Sequence, residues 1–302
     1  MTRRLAVLAT PLLLTLLTPA LALGAEEGSG AGDAFKPQNE FKLEPWVNLP
    51  GPFDINRAVF YLFIATVLTI GAFMYVAKRM QARPNRVQTV VELAYTLMRD
   101  NIAGGNMDRR MAAKWFPFIA ALFLFIWFSN MIGYIPLPTN TEHKVDIAGL
   151  EIPSFAIYAA TANLSVPLVL TLMVWIAYHV EGFRAKGVVG FYKGLVPAGV
   201  EGPAKGPIFL IELISDFVRI VSLSVRLFAN ILAGHLLILF MGGGLVVLLN
   251  LGFAGSLVLG LVTFPIAAGF FLFEIGLVAT LQAFIFSTLT AIYLGGAVAE
   301  DH

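Results

Sequence analysis

Arg226 lies within the apolar run Ser-Leu-Ser-Val-Arg-Leu-Phe-Ala-Asn-Ile-Leu-Ala-Gly-His, residues 222–235. An arginine keeps its proton at any working pH. At mid-helix in lipid that charge costs several kcal/mol, so it persists only beside a wet cavity or a partner carboxylate. The next formal charge along the chain is Glu274, so few neutralising groups lie nearby in sequence. A fixed cation that needs an acidic partner from elsewhere inside a membrane points to ion translocation.

On a helix advancing about 100° per residue, Arg226 shares a face with Ser222 and Asn230. Arg219 and Ser215 fall about 20° to either side and Glu212 about 40° off, so six polar residues line one stripe. A polar seam that merely joins helices is the alternative for the serines and Asn230. His235, nine residues beyond Arg226, faces roughly the other way. It reads either as a hydrogen-bonded structural residue or as a relay group, since an imidazole exchanges protons near neutrality. Glu274 is the only acid between Asp216 and Glu300, and an intramembrane carboxylate is a functional candidate by default. Gln282 follows on the same stretch, placed to reach back toward the arginine helix.

The elements carrying these residues belong to a membrane. The 302 residues are 58% hydrophobic and only 13% charged, with a mean hydropathy of +0.80. Soluble domains carry about a quarter charged residues. Lipid forces backbone polar groups to pair within each spanning segment, so the expected class is all-α and polytopic. With no cysteine, thiol chemistry and iron–sulfur sites are excluded. His143, His179, His235 and His302 show no metal-ligand spacing. Neither metal nor cofactor is expected, and a net charge of +1 gives no footprint for nucleic acid.

Residues 1–25 have the layout of a secretory signal: Arg3 and Arg4, the apolar core Leu5 to Leu17, then small residues around Ala20 to Gly24. An uncleaved extra helix is the alternative. A polar external tail (26–55) precedes the membrane domain, expected over 56–302. Apolar spans are expected over Ala58–Ala77, Trp115–Ile135 and Ala156–Val180. Val87, Val90, Val91, Ala94, Tyr95, Met98 and Ile102 recur at helical steps, as in an amphipathic helix on the membrane surface. Residues 137–155 are expected as a short loop. From Pro207 to Met241 the only helix-breaker is Gly234, which predicts one helix of about 35 residues and about 52 Å. That exceeds a hydrocarbon core of about 30 Å, so it must tilt steeply or run partly along the surface. Gly242-Gly243-Gly244 ends or bends it, and residues 245–296, kinked at Pro265, return. The sum is five embedded units and one surface helix, the last two units forming a long tilted hairpin. Twelve of the twenty basic residues fall within 78–114 and 184–205. The positive-inside rule places those stretches and the carboxyl terminus in the cytoplasm, and the mature amino terminus outside.

The strings Ser222–His235 and Leu281-Gln-Ala-Phe-Ile-Phe-Ser-Thr-Leu-Thr-Ala-Ile-Tyr293 resemble subunit a of rotary F-type ATP synthases. The likeness runs from about Phe53 to the end. It implies a non-catalytic stator in the cell inner membrane, whose partners are the ring of c subunits, b-type peripheral-stalk subunits and the remainder of the synthase. It implies that Arg226 faces the ring carboxylates. Asn230, His235, Glu274 and Gln282 would border a half-channel open to the outside, and Glu212, Ser215, Arg219 and Ser222 one open to the cytoplasm. Some members carry Glu where this chain has His235.

Two departures stand out. The family places its acid or histidine seven residues before the glutamine, whereas Glu274 precedes Gln282 by eight. Thr161-Ala-Asn163-Leu-Ser165 resembles the family's Thr-x-Asp-x-Asn with Asn in place of the acid. No phosphate-binding loop of the Gly-x-x-x-x-Gly-Lys-Ser/Thr type is present, which leaves nucleotide chemistry to other subunits. The rival reading is a self-contained ion channel or secondary transporter. Against it stands the overlong helix whose arginine has no acid of its own.

Overall fold

Helix α1 (Arg57–Arg79) owes its form to an unbroken apolar sequence that holds no proline and a single glycine, Gly71. In a computed structural model of the chain, residues 45–47, 54–79, 85–147, 150–196, 202–241 and 253–299 are described. The signal-like segment and the glycine run 242–244 lie outside them. Before α1 come the short strands β1 (Pro45–Val47) and β2 (Ile55–Asn56), paired antiparallel. Helix α2 (Arg86–Thr96) begins at Asn85, whose side-chain oxygen accepts from the Gln88 N–H at 2.8 Å. That bond satisfies one of the free donors of the first turn. The helix runs on through a π-helical stretch, Leu97–Ala103.

Helix α3 (Arg109–Gly133) is followed by an antiparallel ribbon, β3 (Leu137–Ile147) with β4 (Leu150–Ala156). The sequence expectation of a short loop is corrected here. The segment pairs Leu137 with Ala156 and Ile147 with Leu150, so its backbone groups satisfy one another. Helix α4 (Ser165–Lys193) starts well after the expected Ala156, because β4 and a 3₁₀ turn at Ala160–Ala162 occupy the intervening residues. Pro167 then sits in the first turn, where a missing N–H costs nothing. At Gly187 (φ 71°, ψ 163°) the backbone leaves the helical region for one open to glycine, and the chain turns back. Phe191 is thereby laid against Gly182, where any side chain would collide with its ring.

Helix α5 (Lys205–Leu239) has the expected 35 residues. Helix α6 (Phe253–Phe273) continues through Pro265, then a π turn (Glu274–Val278), into α7 (Ala279–Val298). The architecture is all-α, apart from the two ribbons. Among the described residues, four helical stretches are long and apolar enough to cross a membrane: Arg57–Lys78, Arg109–Gly133, Ser165–Lys193 and Ala254–Val298. Helix α5, with Glu212, Asp216, Arg219 and Arg226 along it, is not one of the four.

The chain divides into two compact units. The first gathers the residues up to Ile64 with Ser129–Asn163 and Ala229–Thr280. Its core packs Tyr134, Ile238 and Ala279 against Met131, Ile157, Phe271 and Ile275. The Tyr61 and Tyr158 rings meet edge to face at 5.5 Å, and the Arg57 guanidinium lies 4.6 Å over Tyr158. The second unit gathers Ala65–Phe128, Leu164–Phe228 and the residues from Leu281 on. Within it Met98, Ile102 and Ala103 are buried, whereas Val90 and Leu93 face outward. The expected surface helix therefore has apolar side chains on both sides, some packed inward and some free to enter a lipid interface.

Candidate functional site

In the first unit His235 and Glu274 come together at Tyr134. His235 is buried, with Nδ1 3.0 Å from the Ile231 carbonyl and Nε2 3.2 Å from that of Gly133. Both ring nitrogens face acceptors, so the imidazole can take a second proton without moving. The Tyr134 ring lies 4.7 Å from the histidine ring, and its hydroxyl donates to Glu274 Oε2 at 3.0 Å. Tyr134 thus touches both groups. Gly234 is pressed against the Glu274 carboxylate, and any side chain there would collide with it. Nearby in the same unit, Asn130 donates to the Ala279 carbonyl at 3.3 Å and accepts from the Thr161 hydroxyl at 2.7 Å.

Glu274 opens the π turn Glu274–Val278. A π turn closes i→i+5 bonds and so carries a residue beyond the α-helical count. Glu274 precedes Gln282 by eight residues, and the π turn lies between them. Gln282 itself is buried on α7.

In the second unit the part of α5 before Ala229 carries Arg226. The arginine and Ser222 are exposed, Arg219, Glu212 and Ser215 half-buried, while Leu223, Ser224 and Leu227 are buried. Arg226 and Ser222 therefore look away from their own unit, on a helix that also exposes Ile214, Phe217, Val218, Val221 and Val225. Among the described residues no carboxylate pairs with Arg226. Asn230, in the first unit, is likewise exposed.

Sequence reasoning missed a second cluster in this unit. Asp216 is buried and accepts from Trp175 Nε1 at 2.9 Å and the Tyr178 hydroxyl at 2.5 Å. His179 Nε2 is 3.3 Å from Asp216 Oδ2, and Arg219 Nη1 3.8 Å from Oδ1. The Arg219 guanidinium lies 5.2 Å over Tyr293. Lys114 and Glu181 form a further ion pair. The available signal was an i, i+3 acid–base pair at 216 and 219; the donors on α4 are remote in sequence.

Residues 59–295 match the family described as ATP synthase A chain. A protein named ATP synthase subunit a from Parvibaculum lavamentivorans is 35% identical, over 93% of this chain and all of its own length. Those from Hyphomonas neptunium (31%, over 89% of this chain and 98% of the relative) and Maricaulis maris (34%, over 83% and 92%) carry the same name.

The chain belongs to the ATP synthase A chain family.

As a family member it is a multi-pass membrane protein and a non-catalytic subunit of the membrane sector, serving proton transport and ATP synthesis. The resemblance seen in the 222–235 and 281–293 strings is thereby upheld.

Proposed function

We propose that this chain is the stator half of a rotary proton path, in which Arg226 meets the carboxylates of a ring of small subunits. The observation that carries the reading is the arginine's placement: exposed, flanked by apolar side chains, and with no carboxylate partner among the described residues. An ionised ring carboxylate is attracted to that charge, whereas a protonated one enters lipid at modest cost. Arg226 thus favours proton release as each carboxylate arrives and bars direct leakage between two offset paths. Asn230, His235, Glu274 and Gln282 border the outer path, joined by Tyr134, Asn130 and Thr161. Glu212, Ser215, Arg219 and Ser222 border the inner one. The membrane potential supplies about 2.3 kcal/mol per proton per 100 mV. Peripheral-stalk subunits of the b type hold the stator against rotation.

Cross-linking tests the partner. A cysteine at Ser222 is expected to join a small subunit bearing one membrane carboxylate, identified by mass after purification of the complex. A stripe that is left uncovered in the purified complex would favour a self-contained channel instead.

The proposed location is the cell inner membrane, with the amino terminus outside. The cue is the crowding of basic residues into 78–114 and 184–205. A cysteine replacing Lys193 should react with an impermeant maleimide only from the cytoplasmic side, and one replacing Glu142 only from outside. Labelling of the 193 site from outside would reverse the orientation.

A further inference from the structure

The buried cluster on α4 and α5 has no place in the roles assigned so far. His179 is enclosed by the rings of Trp175 (4.0 Å), Tyr178 (4.6 Å), Phe191 (5.1 Å) and Phe183 (5.6 Å). Phe191 reaches it only because the chain turns back at Gly187. The ring's Nδ1 is 2.9 Å from the Trp175 carbonyl, which can only accept. Its Nε2 faces Asp216 Oδ2. Whichever nitrogen carries the hydrogen of a neutral imidazole, the other turns a bare lone pair toward an acceptor oxygen. A second hydrogen, giving one to each nitrogen, removes that conflict.

The groups facing this pair are Tyr178 from α4, Arg219 from α5 and, beyond Tyr178 and Arg219, Tyr293 from α7. Beside them is a small hollow with mainly apolar walls, Val174, Ile220 and Leu223 among them, which Tyr178, Arg219 and Tyr293 also line. The Tyr178 hydroxyl donates to Asp216 Oδ1, and Arg219, next to that oxygen, is half-exposed. Buried ion pairs add little net stability compared with well-packed apolar side chains, so packing alone gives a weak account of this one.

We propose that His179 and Asp216 form a proton-holding pair on the inner path, exchanging with water past Tyr178 at the half-exposed Arg219. The inference rests on the stator reading above. In the loaded state both ring nitrogens carry hydrogen, Nε2 toward Asp216 Oδ2 and Nδ1 toward the Trp175 carbonyl. In the unloaded state the imidazole is neutral, and one ring nitrogen turns a bare lone pair to its oxygen. The states differ by one proton, taken from water and returned to water, and no other bond is made or broken. Because Asp216 stands one helical turn before Arg219, loading and release change the charge felt by that guanidinium by one unit.

The test uses the whole ATP synthase in inverted vesicles, with passive proton flux through the membrane sector followed from pH 6 to 9. His179→Gln is expected to assemble, to lower flux roughly tenfold, and to flatten its pH dependence, as loss of a proton-transfer group does. In His179→Ala, free imidazole should restore flux, which it would not do for a packing defect. An assembled His179→Gln with the wild-type pH profile overturns the inference. So does an equal loss at every pH without rescue by imidazole. Failure of His179→Gln, Asp216→Asn and Asp216→Glu alike to assemble would make the pair a structural staple, and also overturns it. Arg226→Ala, run in parallel, separates the two readings: if it blocks coupling while His179→Gln behaves as wild type, only the proton-holding pair falls.

Discussion

Arg226→Ala is expected to abolish both ATP-driven proton pumping and proton-driven synthesis while the complex still assembles. The side chain is exposed on α5, so its removal opens no cavity in its own unit. What disappears is the fixed charge that makes a ring carboxylate release its proton and that separates the two aqueous paths. Pumping, read as fluorescence quenching in inverted vesicles, should fall to background, a loss of at least about 100-fold given typical effects of removing a preorganised charge. Arg226→Lys should fail largely as well. An ammonium can lose its proton when desolvated, and it offers no planar pair of donors to a carboxylate. Normal coupled pumping in Arg226→Ala membranes would sink the stator reading.

The next largest effect is expected from His235 and Glu274. Either His235→Ala or Glu274→Gln should slow proton uptake from outside by roughly 10² or more, the usual scale for a lost proton-transfer group. Neither change removes the electrostatic gate, so each should leave more residual activity than Arg226→Ala. The double variant should be markedly non-additive, because both side chains touch Tyr134, one through its ring and the other through its hydroxyl. Wild-type rates for Glu274→Gln across pH 6–9 would show that the carboxylate is only structural.

Much of this arrangement was legible in the sequence. The absence of proline and of all but one glycine between 208 and 241 foretold the length of α5. The spacing of Ser222, Arg226 and Asn230 foretold a shared face with His235 roughly opposite, and the three are exposed while His235 is buried. Helical periodicity is a short-range signal, and these are short-range facts. The ribbon of β3 and β4 was missed, since its pairing depends on which backbone groups find partners, and polar loop residues fit either outcome. The π turn at Glu274 escaped because a fixed 100° step presumes uniform helix geometry. Asp216 was visible as an acid, yet its three donors lie 37 to 41 residues away on another helix, a relation that periodicity does not encode.

The approach of Gly234 to the Glu274 carboxylate ties two distant positions together by volume. In a close-packed interior the space for a side chain is shared. A methyl at 234 would press on the end of the Glu274 side chain, a flexible group able to swing aside, and the carboxylate would leave its place beside the Tyr134 hydroxyl. The position of the acid is thus held in part by the absence of a side chain on the helix opposite.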